Sequence, residues 1–312
     1  MQVFRGIPTF NEHPCVLTIG NFDGVHIGHQ ALLARLRHRA ATLGLPAAVM
    51  TFEPLPREFF APDEAPPRLT SLRRKLELLE LHGVNQVYVQ PFNARFASLP
   101  AEDFIERVLV RGLRARHLLI GDDFRFGKGR CGSFETLRAA GELRGFRVEA
   151  LETVDFNGER VSSSAVRDAM LAGDMVHANM LLGAPFEVIG RVMHGDKIGR
   201  TIGFPTANIQ LGQKTMPLSG IFAVTVEGGP LKHVPGAASI GVRPTIGDKL
   251  ALRLEVFVLD FDGDLYHQRL SVRFWRKIRN EEKYDSLDAL TTAIAKDCEQ
   301  VRQYFASGES YY

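Results

Sequence analysis

The sequence predicts two folds in tandem: a doubly wound α/β layer on a parallel sheet, then a small antiparallel β-barrel with a C-terminal helix. Two observations carry this. Through about residue 150, short apolar runs alternate with stretches of helical periodicity, the rhythm of strand–helix–strand units. Past Gly183-Ala184-Pro185 the runs become β-rich and are punctuated by Gly and Pro, with no helix expected before the terminal one. At 312 residues the chain has room for two domains of ordinary size, and the change of rhythm sets them at 1–183 and 184–312.

The elements follow in order. Val16-Leu17-Thr18-Ile19 is a buried strand feeding a loop at Gly20-Asn21, and Leu32, Leu36, Ala40 and Leu43 mark a helix stopped by Gly44. Ala47 to Phe52 is the next strand, halted by Pro54 and Pro56. A helix from about Leu72 to Leu81, capped by Thr70 or Ser71, ends before Gly83. Strand Val87–Val89, helix Glu102–Val110, strand His117–Ile120, helix 134–144 and strand Phe146–Ala150 complete the series. In such a sheet, ligands bind at the carboxyl ends of the strands, so the loops after Ile19, Phe52 and Ile120 should converge. In the second half, Phe186–Ile189, Ile221–Val226, Leu252–Leu259 and Leu270–Trp275 read as barrel strands. Leu287, Leu290, Ile294, Val301 and Phe305 form one face of a helix capped by Ser286, with fraying expected from Ser307 to Tyr312.

Composition excludes several classes. A net charge of +2 with both signs interspersed gives no clustered basic face, so nucleic acid is not expected as a partner. Cys15, Cys131 and Cys298 are far apart and lack ligand spacing, which argues for a reducing compartment and against disulfides or a zinc site. Met1-Gln2-Val3-Phe4-Arg5 has no signal-peptide character, and no apolar run approaches the roughly 20 residues that span a bilayer. A soluble, cytoplasmic protein without a membrane partner is expected, of unspecified oligomeric state.

The first chemical signal is Gly20-Asn21-Phe22-Asp23-Gly24-Val25-His26-Ile27-Gly28-His29. Two histidines three apart open a helix directly after a strand, where free backbone N–H groups and the helix dipole attract anions. Gly28 lets a phosphate come close, and imidazoles can donate to oxygens whose charge grows in a transition state. Alone, the pair could be surface histidines; strand, glycine turn and helix in sequence favour a phosphate site. Val161-Ser162-Ser163-Ser164-Ala165-Val166-Arg167 offers hydroxyls, a helix start and an arginine, suited to a triphosphate tail or equally to an ordinary Ser cap.

These segments resemble the HxGH signature of the nucleotidyltransferases, a Rossmann-like superfamily, and more closely the prokaryotic bifunctional riboflavin kinase/FMN adenylyltransferase (FAD synthetase) family. Thr51-Phe52-Glu53-Pro54 is similar to its TFxP loop, Gly121 to Gly127 to its GxDFxFG loop, and the Ser162 segment to its ISSTxIR motif. The resemblance implies His26 and His29 as catalytic groups, with Asn21, Asp23, Gly28, Ser162, Ser163 and Arg167 binding ATP. It implies Phe52, Pro54, Asp123 and Phe124 as flavin contacts.

In the second half, Gly195-Asp196-Lys197-Ile198-Gly199-Arg200-Thr201-Ile202-Gly203-Phe204-Pro205-Thr206-Ala207-Asn208 lacks the Walker A ending and by itself is only a flexible, basic loop. It resembles the GRxxGFPTAN signature of riboflavin kinases. That implies ATP binding by Gly195, Gly199, Arg200, Gly203, Pro205, Thr206 and Asn208, with Thr206 and Asn208 holding magnesium. Alternation puts Glu255 and Phe257 on the face opposite Leu254 and Val256. The residues alone allow a solvent-facing glutamate; the resemblance implies a catalytic base. Arg279, Glu281, Lys283 and Tyr284 resemble the RxExKF segment near the flavin, which makes Arg279 and Glu281 flavin contacts. Ser239 and Ile246 depart from the family's NIGxRPTF pattern.

The activity so implied is phosphorylation of riboflavin to FMN in the C-terminal domain and adenylyl transfer from ATP to FMN in the N-terminal one. Its cofactor is Mg2+ with ATP, with riboflavin, FMN and FAD as substrates and products. Two alternatives stand beside it: a nucleotidyltransferase for another acceptor, such as a pantetheine or nicotinamide mononucleotide, and a flavin-binding protein without turnover.

Overall fold

The computed structural model describes residues 1–121, 123–151, 153–195, 198–212, 215–244 and 250–308. Asp122 in the Gly121–Gly127 loop, Asp196, Lys197, Ile246 and the last four residues lie outside these. Packing divides the chain into two compact units, Met1–Pro66 with Leu72–Ser162, and Pro67–Ser71 with Ser163–Tyr312.

The first unit contains strands β1 (Gln2–Arg5), β2 (Cys15–Ile19), β3 (Ala47–Glu53), β4 (Gln86–Pro91), β5 (Ala115–Gly121) and β6 (Arg147–Leu151), followed by a hairpin of β7 (Asp155–Phe156) and β8 (Glu159–Arg160). Its helices are α1 (Ile27–Leu43), α2 (Pro56–Phe60), α3 (Leu72–Leu81), α4 (Ala94–Ala97), α5 (Ala101–Asp103) and α6 (Phe134–Arg144). The six main strands are parallel, in the order β1-β4-β3-β2-β5-β6. Because successive strand residues face opposite ways, β2 sends Cys15, Leu17 and Ile19 into one core and Val16 into the other. One core is completed by Phe104 to Leu113 and α6, the other by α1 and α3, so both faces are covered. β3 and β5 flank β2, so successive units wind away from β2 in opposite directions. The loop after Ile19 therefore leaves the sheet at its topological switch point.

Besides the short elements α2, α4, β7 and β8, which the sequence leaves unread, two details differ from the expected elements. The sequence leaves β1 unread because all four of its residues are exposed at the sheet edge and carry no burial signal. The helix expected over Glu102–Val110 runs on from α5 as a wider π-helix over Phe104–Gly112, closed by the Leu113 amide on the Val108 carbonyl at 2.9 Å. The buried positions there are 104, 105, 108, 109, 112 and 113, pairs recurring every four residues that keep one face on the core.

The second unit opens with α7 (Ser163–Ala172) and α8 (Met175–Leu182). The barrel is made of β9 (Phe186–Met193), β10 (Ala207–Ile209), β11 (Gly220–Gly228), β12 (Leu231–Pro244), β13 (Leu250–Val258) and β14 (Arg269–Arg279). It closes in the order β10-β13-β12-β11-β14-β9 with every pairing antiparallel. A one-turn helix α9 (Ile198–Thr201) interrupts the stretch where no helix was expected, held by the Ile202 and Phe204 amides on the Gly199 carbonyl. Two of the six barrel strands went unread. β10 has three residues, and β12 contains Pro235, Gly236 and Gly241, which look like loop composition. α10 (Leu287–Ala306) carries the expected Ser286 cap, whose hydroxyl accepts from the Ala289 amide, and packs Val301 and Tyr304 on the barrel.

The sequence sets its domain break at 183/184, whereas packing groups the chain from Ser163 onward with the barrel. Asn179 of α8 explains the difference: its side chain donates to the Phe274 carbonyl at 3.0 Å and accepts from the Phe186 amide at 2.9 Å. One amide group thus ties the helix to β9 and β14.

Two candidate active sites

In the first unit, the loop between β2 and α1 is built under strain. Phe22 and Val25 hold left-handed backbone (φ 49° and 44°), a region a β-branched residue such as valine rarely enters. Phe22 is fully buried, its ring 5.0 Å from that of His29, and Asp23 is buried beside it in sequence. The loop is anchored by Thr51, whose hydroxyl donates to the Asn21 carbonyl at 3.2 Å. His26 is the cap of α1, its Nδ1 accepting from the His29 amide at 3.4 Å. That contact puts the proton of a neutral His26 on Nε2, leaving it a donor. The two imidazoles stack at 3.7 Å. A Cβ at Gly28 would lie 3.2 Å from the His26 ring, which would have to give by a few tenths of an ångström.

Burial drives the His29 pKa well below the usual imidazole range, and the charges of His26 and Lys75 lower it further. His29 is therefore neutral at pH 7. Its Nδ1 is buried without a hydrogen-bond partner among the described residues, an unusual and costly state. Lys75, only 1% exposed, is the residue sequence reasoning missed here. In Leu72-Arg73-Arg74-Lys75-Leu76-Glu77 it reads as one more surface charge, yet it lies three residues after Leu72 and four before Leu79, on the apolar face.

The expected ATP residues divide. The Val161 carbonyl lies about a van der Waals contact from a Cβ built on Gly28, so the start of the Ser162 segment sits beside the histidine loop. Ser163 and Arg167 belong to the second unit, where Arg167 is buried and donates to the Pro67 and Ser163 carbonyls at 2.7 and 3.0 Å. Of the expected flavin contacts, Pro54 follows a cis peptide bond at the end of β3. Asp123 accepts from Arg160 at 2.8 Å, and Phe124 stacks on Phe126 at 5.9 Å. Phe52 belongs to an aromatic cluster the sequence did not reveal: Phe92 lies 5.6 Å from it and Phe96 6.0 Å, with Phe59 5.5 Å from Phe92. The phenylalanines at 59, 60, 92 and 96 were the available signal.

In the second unit, a cavity of about 230 Å³ brings together Thr206, Glu255, Arg279 and Glu281, four expected site residues from separate parts of the chain. Glu255 sits on β13 opposite Asn208 of β10 and Ser239 of β12, with Leu254 and Val256 buried on the other face. The Thr206 hydroxyl is 3.4 Å from its carboxylate, which accepts. Phe204 and Phe257 meet edge to face at 5.2 Å and form an apolar wall. Arg279 donates to both oxygens of Asp297 at 2.8 and 2.7 Å, and these bonds raise its pKa above the ordinary value. Ser239, where the chain departs from the family pattern, lines the same cavity.

A second cavity of about 620 Å³ shares Thr206 and is lined by Arg200, Pro205, Asp262, Asp264 and Tyr266 among others. His194, just before Gly195, packs against Tyr266 with ring centres 4.0 Å apart. A Cβ at Gly195 would collide with the Asn208 amide, so glycine is what lets that side chain lie against the loop. Gly199 lies within α9 and Gly203 two residues past its end, and Arg200 is exposed. Thr206 and Asn208 supply neutral oxygen donors of the kind that suits magnesium shared with phosphates. Among the described residues, no group of three His, Cys, Asp or Glu could hold a metal by itself, and no helix is long and apolar enough to cross a membrane.

The sequence profile of the FAD synthetase family matches residues 9–165, and that of riboflavin kinase matches residues 182–305. The chain is 50% identical over 304 residues to the bifunctional riboflavin kinase/FMN adenylyltransferase of Pseudomonas fluorescens, with 97% of each chain covered. It is 48% identical over 308 residues to the protein of that name from Escherichia coli K12, with 98% of each covered. Among solved structures, a macrolide-efflux protein from Streptococcus pneumoniae matches with a TM-score of 0.84 and 30% identity, over 97% of this chain and 99% of that one.

Proposed function

The chain belongs to the bifunctional riboflavin kinase/FMN adenylyltransferase family, and on that premise we propose how its own residues turn riboflavin into FAD. The observation that carries the reading is the cavity uniting Thr206, Glu255, Arg279 and Glu281.

In the kinase step, the flavin ring enters the cavity against Phe204 and Phe257, with Arg279 and Glu281 as its polar wall. The Glu255 carboxylate takes the proton of the terminal ribityl hydroxyl as that oxygen attacks the γ-phosphate of ATP, and ADP leaves. ATP occupies the adjoining cavity, where Gly195, Gly199, Arg200, Gly203 and Pro205 shape the phosphate loop. Thr206 and Asn208 would hold the magnesium that accompanies ATP, and the ion would neutralise phosphate charge. Thr206, common to both cavities, sits where the γ-phosphate meets the hydroxyl.

In the adenylyl step, a phosphate oxygen of FMN attacks the α-phosphorus of ATP and pyrophosphate leaves. The nucleophile is already an anion, so no base is required. His26 and His29 donate to the oxygens that gain charge, at the start of α1 where the helix dipole adds to them. Within the first unit, Asn21, Asp23, Gly28 and Ser162 complete the ATP site, and Phe52, Pro54, Asp123 and Phe124 receive the flavin with Phe92 and Phe96 behind them. We assign adenylyl transfer to residues 1–183 and the kinase to 184–312, in a cytoplasmic enzyme acting on small molecules alone. Incubation with riboflavin, ATP and magnesium, followed by chromatography, tests this: FMN and then FAD are expected, and recovery of unchanged riboflavin would refute it.

A further inference from the structure

Among the apolar residues that α10 turns to the barrel stands one carboxylate. Asp297 is 4% exposed, beside Cys298 and between Ile294 and Val301. A carboxylate taken out of water is costly unless its charge is met, and here Arg279 meets it with two parallel bonds. The third nitrogen of the guanidinium, Nη1, donates to the Asn280 carbonyl at 2.9 Å, and its Cζ lies 5.7 Å from the centre of the Tyr284 ring. Every nitrogen of Arg279 is thus engaged within the protein.

Arg279 ends β14, and residues 280–286 connect it to the cap of α10. That connection carries Glu281 and Tyr284, both of which line the cavity with Glu255. Replacing a buried ion pair with apolar side chains is often neutral for stability, so fold stability is a poor reason to place one here. A two-pronged grip does something apolar packing cannot: it fixes the angle at which the connection leaves the strand.

We propose that Asp297 is a positioning residue of the kinase site, acting through Arg279 to hold the 280–286 connection as one wall of the flavin cavity. The proposal rests on the kinase reading above. It adds to the role expected for Arg279, which serves as a buckle between β14 and α10 while it and Asp297 both line the cavity.

The test is riboflavin phosphorylation by the full-length protein at saturating ATP. Asp297→Asn keeps the shape but removes the charge. Its KM for riboflavin should rise by about tenfold or more, with kcat within about threefold, since a loosened wall weakens binding before it touches the base. Adenylylation of supplied FMN by the same variant should stay within about twofold, and Asp297→Glu should recover most of the KM. A folded Asp297→Asn protein with a riboflavin KM within about twofold of the parent would overturn the proposal and leave the pair as mere packing. Should Asp297→Asn not fold by circular dichroism, Arg279→Lys decides, because lysine keeps the charge but not the fork. A KM rise of the same order supports the proposal and an unchanged KM overturns it. A parent that does not phosphorylate riboflavin fails the kinase reading itself, which the variant comparison cannot mimic.

Discussion

The two candidate sites are built by opposite means. In the first unit the backbone does the work: Phe22 and Val25 are held in left-handed conformations, His26 caps a helix, and His29 is kept neutral by burial. In the second unit the framework is relaxed barrel strand, and side-chain oxygens from β10 and β13 face one another across a register pair. The difference follows from the chemistry proposed for each. Adenylyl transfer begins with an anionic nucleophile and needs only donors around the phosphate. Phosphorylation of an alcohol needs a proton acceptor close to the hydroxyl, hence a carboxylate on a rigid strand.

If that contrast is right, the largest effect belongs to the base. Glu255→Gln keeps shape and hydrogen bonding but cannot take a proton. FMN production should fall about 10²–10⁴-fold while supplied FMN is still adenylylated; a single-turnover assay that finds little loss breaks the contrast. Next, His29→Ala should lower FAD formation from FMN by about 10²–10³-fold and leave riboflavin phosphorylation within a few-fold, as read by chromatography of each product.

The packing of α8 gives a smaller effect. A fragment starting at Phe186 loses both Asn179 hydrogen bonds and the buried Leu181 and Leu182. It should therefore melt at least about 5 °C below a fragment starting at Ser163, given roughly 1 kcal/mol per hydrogen bond. Equal melting temperatures would mean the helix pair contributes nothing to the barrel.

The smallest effect is a pH slope. The folded state depresses the pKa of His29, so below about pH 6.5 the unfolded chain binds a proton that the folded chain refuses. Stability from this source is present at neutral pH and is lost as pH falls through that value. Between about pH 7.5 and 5.5 the parent should lose about 2–4 °C more in Tm than His29→Gln, and parallel slopes would contradict the buried neutral imidazole.

What could be read from the sequence was local. The β2–α1 loop, helices α3 and α6, the Gly44 stop and the Ser286 cap depend on neighbours a few residues apart, and the structure reproduces them. What escaped depends on distant contacts. β1 exists only because β4 pairs with it, and β12 is strand because β11 and β13 flank its Pro and Gly. The site residues divide in the same way. Motifs pointed to His26, His29, Thr206 and Glu255, each within a recognisable string. Lys75, Phe92 and Asp297 went unseen because each looks ordinary on its own helix or loop, and only the fold shows that Lys75 and Asp297 are buried charges and that Phe92 joins Phe52.

The central claim is that two separate sites, with separate chemistry, act in succession. Mixing two crippled chains tests it most directly. Glu255→Gln and His29→Ala are each given riboflavin, ATP and magnesium, alone and combined in equal amounts, and FAD is quantified. Alone, Glu255→Gln should yield neither product and His29→Ala should stop at FMN. Together they should make FAD, because FMN formed by one chain is adenylylated by the other. A mixture that makes no FAD, although each variant keeps its remaining activity, would contradict the account.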